Sequence, residues 1–164
     1  MNPINIYTDG ACLGNPGPGA YAYLIEYSHR IDASAQLSRD LTTNNKMELQ
    51  AVISALESIK PFVREKAKVT LFSDSKYVVD GVNTYIATWL QNGWKTSTRK
   101  DVANMDQWKH LVALRSTFNH LTFEWVKGHA SCHYNNICDA MAQKLLTTNS
   151  VVKSTHPDDS AYEN

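Results

Sequence analysis

The sequence predicts an α/β domain: a five-stranded mixed sheet, made of an antiparallel meander and added parallel strands, with helices on both faces. Three observations point there. Apolar residues alternate at period two in successive segments near the N-terminus, around Ile4 and Ile6, along Tyr21–Tyr27 and over residues 30–38. The period then switches to a helical one over TTNNKMELQAVISALESIK. Two later apolar runs, KVTLFSD (68–74) and LTFEWVKG (121–128), are separated by helical segments, as parallel crossover units require.

The elements follow in order. Ile4 and Ile6 mark a strand that ends near Asp9, where GACLGNPGPGA (10–20) forms a Gly/Pro turn cluster. Tyr21, Tyr23, Ile25 and Tyr27 alternate along a second strand, and Ser28-His29 turns into a third. In the first helix Met47, Ala51, Val52, Ala55, Leu56 and Ile59 repeat on one face; Thr43 or Asn44 caps it and Pro61 ends it. A fourth strand closes at Asp74, and SKYVVDGV makes a short helix. Residues 84–100 are aromatic and polar with no clear period. Met105, Trp108, Leu111, Val112 and Phe118 mark a further helix, with Asn104 as a possible cap. A fifth strand, a loop and a last helix with Ile137, Met141, Ala142 and Leu145 inward complete residues 1–146, a single domain. Residues 147–164 are polar and are expected to form a flexible tail.

Composition narrows the class. The chain has 164 residues, 43% hydrophobic, with 16 basic and 16 acidic side chains, which excludes a disordered charged tail protein. No apolar run approaches the roughly 18 residues of a membrane span, and MNPINIYTDG lacks the features of a signal peptide. Cys12, Cys132 and Cys138 are an odd number with no CxxC pair, so a disulfide scaffold is not expected and a reducing, cytoplasmic setting is.

Asp9 and Asp74 each stand where an apolar strand stops. A right-handed crossover makes the first and fourth strands parallel neighbours, which sets these carboxylates side by side at the edge where α/β sheets bind ligands. Glu48 lies near the start of the crossover helix and Asp139 near the start of the last one. Four converging acids repel one another unless hard divalent cations neutralise them, and Mg²⁺ or Mn²⁺ suits oxygen ligands. Two such ions can clamp an in-line phosphoryl displacement. Taken singly, each acid reads more readily as a turn or helix-end residue than as a ligand.

YTDGACLGNPGPGAYA (7–22), TTNNKMEL (42–49), SDSKYV (73–78), GWKT (93–96), EWVKGHA (124–130) and CDAMA (138–142) together resemble type I ribonuclease H, especially its bacterial members. The resemblance implies the ribonuclease H-like fold and an endonuclease cutting the RNA strand of RNA–DNA hybrids, leaving 3′-hydroxyl and 5′-phosphate ends. It places the metal-binding acids on Asp9, Glu48, Asp74 and Asp139 and a mobile catalytic histidine on His129. The implied cofactor is Mg²⁺, two ions with substrate, with Mn²⁺ as a substitute. Gly10, Cys12, Asn15, Asn44 and Asn45 fall on minor-groove contacts, where amides and backbone groups meet the 2′-hydroxyls that only RNA carries. Thr43 and Asn104 fall on a pocket for a phosphate of the DNA strand. Trp89, Trp94 and Tyr85 fall on a protruding substrate-binding segment, with Lys95 beside them. The bland alternative for aromatics is a satellite core, and Trp108 and Trp125 are assigned to it. No membrane and no obligate protein partner are implied, and a monomer is expected.

The chain departs from the family in places. The protruding segment carries Leu90-Gln91-Asn92 where Lys and Arg are usual, leaving Lys95, Arg99 and Lys100, one of them offset by Asp101. Lys76 stands where Gln is common and adds a charge near the expected cut site as a further substrate contact. Setting the four site acids aside leaves 12 acidic against 16 basic residues, so a neutral formula is compatible with a nucleic-acid ligand. Two other readings compete: an integrase- or resolvase-like nuclease on the same sheet, and a non-catalytic hybrid-binding module.

Overall fold

The computed structural model describes residues 3–38, 40–128 and 132–162, with the side chains of the last helix described through Thr148. The strands are β1 (Pro3–Cys12), β2 (Gly19–Glu26), β3 (Ile31–Leu37), β4 (Lys68–Ser73) and β5 (Leu121–Trp125). The helices are α1 (Asn44–Ser58), α2 (Pro61–Lys66), α3 (Lys76–Asp80), α4 (Ile86–Asn92), α5 (Met105–Arg115) and α6 (His133–Tyr162), with a π-helical turn (Gly81–Tyr85) joining α3 to α4. The sheet order is β3-β2-β1-β4-β5. β1–β2 and β2–β3 are antiparallel, and β1–β4 and β4–β5 are parallel, as the meander and the crossovers require.

Period-two alternation divides the sheet residues between two cores. Ile4, Ile6, Ile25, Val69 and Leu71 pack with Leu49, Val52, Ile53 and Leu56 of α1 and with Trp108 and Leu111 of α5. On the opposite face Ala11, Ala20, Ala22 and Leu24 pack with Cys138, Ala142 and Leu146 of α6. The six apolar positions expected to face inward on α1 are all buried, and Thr43 is the cap, its hydroxyl accepting from Lys46 N–H at 3.2 Å. In α6 the buried line runs through Asn135, Cys138, Ala142 and Leu146, one step away from the stripe expected from the bulkier Ile137, Met141 and Leu145. The strands opposite present alanines, so small residues form the close seam and large ones flank it. α6 covers β1, β2 and β3; Thr122 and Glu124 of β5 are exposed.

Other differences have local causes. β1 does not stop at Asp9: it continues to Cys12, pairing Gly10 with Tyr21, Ala11 with Ala20 and Cys12 with Gly19. Pro61 ends no helix alone; it opens α2, where a missing N–H is harmless at the first turn. The aperiodic stretch after residue 84 contains α4, hidden because the π-helical turn shifts the helical phase. α6 continues as helix to Tyr162, through most of the segment expected to be a flexible tail. Among the described residues no helix is long and apolar enough to cross a membrane.

The π-helical turn has a packing partner. Trp108 is fully buried and its indole N–H donates to Tyr77 Oη at 2.9 Å. A Cβ at Gly81 would overlap three atoms of that fixed ring. Gly81→Ala gains about 1 kcal/mol of helix propensity, but overpacking costs about 1–3 kcal/mol. With the ring unable to yield, the cost falls toward the upper end of that range, and the variant is expected to lose about 1–2 kcal/mol net in urea unfolding followed by tryptophan fluorescence.

Candidate active site

Strand register builds the site. The parallel ladder between β1 and β4 ends at Thr8↔Ser73, and the next residue on each strand is an aspartate, Asp9 and Asp74. Glu48 is brought up by α1, whose first turn approaches β1 at Gly10. A Cβ at Gly10 would stand 2.5 Å from the backbone of Met47 and Glu48, so only glycine allows this approach. Behind Asp74, Gly128 gives the same kind of clearance: a Cβ there would lie 2.9 Å from Asp74 Oδ2.

Carboxylate oxygens of Asp9, Glu48 and Asp74 lie within 4.8 Å of one another. Asp139 reaches this group through a side-chain hydrogen bond with Asp9. The acids expected to converge therefore do so as a tight trio with Asp139 at its margin. All line one open polar cleft together with Gly10, Cys12, Asn44 and Asn45. Gln143, one turn beyond Asp139, lines it too and was not anticipated, since a lone glutamine on a polar helix face gives no signal.

α6 is fixed to β1 by a buried polar contact. Asn135, 1% exposed, donates from Nδ2 to the Thr8 carbonyl at 3.2 Å, and the Cys138 thiol donates to the Tyr7 carbonyl at 3.4 Å. These bonds orient the helix turn that carries Asp139. Asn135 was also missed; its sequence signal is a polar residue four before Asp139, in line with Cys138 and Ala142.

The charge arrangement is costly without a cation. Burial first, then the neighbouring charges of Glu48 and Asp74, push the Asp9 carboxyl far above its usual range. Burial and the Asp74 charge push Glu48 up likewise, against the opposing effect of hydrogen bonds from Asp9 and the Gly10 backbone. Glu48 Oε2 is buried with no hydrogen-bond partner among the described residues. An all-oxygen trio with an orphaned carboxylate oxygen fits a hard divalent ion such as Mg²⁺ or Mn²⁺.

The remaining expected contacts are distributed as follows. Asn15 Oδ1 accepts from the Asn44 backbone N–H at 3.2 Å, joining the Gly/Pro loop to the start of α1 beside the cleft. The Cys12 thiol donates to the carbonyls of Gly17 and Thr42. Thr43 spends its hydroxyl on capping α1, whereas Asn104 lines a separate groove with Lys46 and Gln107 and donates to Tyr77 Oη at 3.0 Å. Trp94 is only 9% exposed and belongs to the main core, with the Trp89 ring tilted against it at 5.8 Å, so Trp94 anchors the segment and presents no free face. Lys95 is paired with Asp101. Trp108 is fully buried, but Trp125, also assigned to a core, is 44% exposed at the end of β5 with Lys76 over its ring. His129 lies outside the described residues.

The raised carboxyls fix the sign of a pH effect. Folded Asp9 and Glu48 keep protons that the unfolded chain loses near pH 4. Metal-free stability therefore falls as pH rises from about 4 through neutrality. Asp9→Asn is expected to flatten this slope and raise the metal-free Tm near pH 8 by several degrees, about 2–4 °C per kcal/mol. Thermal melts in EDTA across pH check this. In the unaltered chain, Mg²⁺ should restore more stability at pH 8 than at pH 6, because its ligands must be deprotonated.

Comparison with known proteins places this geometry. A family profile described as RNase H matches residues 1–147. The chain is 45% identical over 144 residues to Ribonuclease H of Citrobacter koseri, covering 87% of this chain and 88% of that protein. It is 45% identical over 145 residues to Ribonuclease H of Chlorobaculum parvum, covering 87% and 94%. Among solved structures, LC9-RNase H1, described as a type 1 RNase H with the type 2 active-site motif, superposes with a TM-score of 0.71 at 29% identity, covering 88% of this chain and 72% of that one. With its sheet order, its cluster of strand-end acids and these relatives, the chain belongs to the ribonuclease H family.

Proposed function

We propose that this chain is a metal-dependent endoribonuclease that hydrolyses the RNA strand of RNA–DNA hybrids, leaving 3′-hydroxyl and 5′-phosphate ends. The observation that carries the proposal is the trio of Asp9, Glu48 and Asp74 oxygens within 4.8 Å in a cleft that also presents Asn44 and Asn45. Carboxylates supply the metal end of the cleft, and amides supply donors and acceptors suited to ribose 2′-hydroxyls. Asp9, Glu48 and Asp74 would hold Mg²⁺, with Asp139 completing the set on the side of α6. The ion, when bound, polarises a phosphoryl oxygen and lowers the pKa of the attacking water.

The protein's own part is positional. The β1–β4 register fixes Asp9 against Asp74, and Gly10 fixes Glu48 against both. Gly10, Cys12, Asn15, Asn44 and Asn45 flank the path of the RNA strand, and the Asn15–Asn44 bond pre-sets the spacing between the loop and α1. Asn104, near Lys46, takes a phosphate of the DNA strand, with Thr43 shaping that end of α1. His129 assists proton transfer or product departure, a role suited to a group that titrates near neutrality. Trp89 and Lys95 belong to the segment that meets the duplex beyond the cleft. Cytoplasmic action as a monomer belongs to the same reading; the three free cysteines fit a reducing compartment.

The deciding experiment incubates labelled RNA–DNA hybrid, DNA duplex and RNA duplex with the protein in Mg²⁺, Mn²⁺ or EDTA. Cleavage of the hybrid's RNA strand alone, abolished by EDTA, is expected. Asp74→Asn should lower the rate by at least about a thousand-fold, a loss of about 4 kcal/mol in transition-state stabilisation. Cleavage of the DNA duplex would point instead to an integrase-like nuclease, and hybrid binding without cleavage to a binding module.

The depleted basic segment gives a second test. Leu90 is 56% exposed on α4, whereas Asn92 is occupied in closing the turn, bonded to Lys95 N–H and carbonyl. Leu90→Lys/Gln91→Lys is therefore expected to tighten hybrid binding and steepen its salt dependence by about 0.7–0.9 per new phosphate contact. KM measured across a NaCl series, with no change in either quantity, would show that this helix face does not meet phosphate.

A further inference from the structure

We infer that Trp125 is a positioning residue of the site, holding Asp74 through its indole N–H and holding the Lys76 ammonium over its ring, in place to meet the backbone of the bound hybrid. This rests on the functional reading above. Trp125 is the last residue of β5 and pairs with Ser73, the residue before Asp74. Its Nε1–H donates to the Asp74 carbonyl at 3.1 Å, and the following residue, Val126, donates its N–H to the Ser73 carbonyl at 2.9 Å. The end of β5 thus grips the backbone on which Asp74 stands. The large ring is nevertheless 44% exposed, which a core role does not explain.

What occupies the exposed face is a cation. Lys76 Nζ lies 4.8 Å from the Trp125 ring centroid, inside the range of cation–π attraction. Lys76 is itself exposed and is the first residue of α3. A cation there opposes the helix dipole, whose positive end lies at the N-terminus. Departures from local preference of this kind are expected at functional sites. The flexible lysine stem is expensive to immobilise when a phosphate binds. Docking it on an aromatic face beforehand reduces that cost, leaving the ammonium two residues from a metal-binding carboxylate. Lys76 thereby supplies, close to the site, one of the phosphate contacts that the neutral Leu90-Gln91 stretch does not.

The test is a double-mutant cycle read by equilibrium binding. A short fluorescently labelled RNA–DNA hybrid is titrated in EDTA, across a NaCl series, with the unaltered chain, Lys76→Gln, Trp125→Leu and the double variant. Melting curves confirm folding, and Trp125→Met, which keeps apolar bulk without the π face, replaces the leucine variant if that one does not fold. Lys76→Gln is expected to weaken binding about three- to ten-fold and to lower the salt slope by about 0.7–0.9. Trp125→Leu should reproduce both effects within about two-fold, and the double variant should bind no more weakly than the worse single one. Trp125→Phe keeps a ring and loses the N–H. It should bind within about two-fold of the unaltered chain while kcat in Mg²⁺ falls about three- to ten-fold at unchanged KM. A wild-type salt slope in Trp125→Leu, additive losses in the double variant, or an unchanged kcat in Trp125→Phe overturns the inference. Failure of the unaltered chain to cut the hybrid would overturn the functional reading itself, a result distinct from intact cleavage with uncoupled residues.

Discussion

Mutual repulsion among buried carboxylates is the constraint around which this protein is organised. Asp9 and Asp74 cannot avoid each other, because two parallel strands run out of ladder at the same rung and each continues into an aspartate. Glu48 is added by a helix that packs against β1 over a glycine. A fold that merely sought stability would place apolar or paired residues there. The cost is carried by the rest of the domain, through two cores that clamp the sheet from either side and leave the acids no route apart.

The two cores contribute differently. The α1 side is built from large branched and aromatic side chains around Trp108, and it fixes the crossover that makes β1 and β4 neighbours. The α6 side is thin and alanine-rich, which lets a helix lie close against the meander. Close approach makes a buried amide worthwhile there. Asn135 satisfies a strand carbonyl that larger side chains would have kept out of reach.

Much of this was legible in the sequence, and the exceptions are physical. Alternation and helical period identified all five strands, α1 and α5, because each buries one well-defined face. The topology then followed from chain connectivity, which put Asp9 beside Asp74. Elements that bury little, such as α2, or that break phase, such as the π-helical turn and α4, left no periodic trace. Aromatic residues were the hardest to assign. Trp94 and Trp125 look alike in sequence, yet Trp94 is enclosed by Trp89 and the main core while Trp125 ends an edge strand and faces Lys76. Small and polar residues that set geometry, Asn135 above all, were invisible because their importance lies in what they touch.

The Asn135–Thr8 bond has an implication for how such a protein can diverge. The placement of Asp139 is dictated by a contact to a central strand, not by the connection arriving from β5. That connection is therefore released from any duty as a ruler. Apart from Gly128, which clears Asp74, and His129, its length can change while the acid it leads to stays in place, leaving room for turnover to be tuned independently of ion capture.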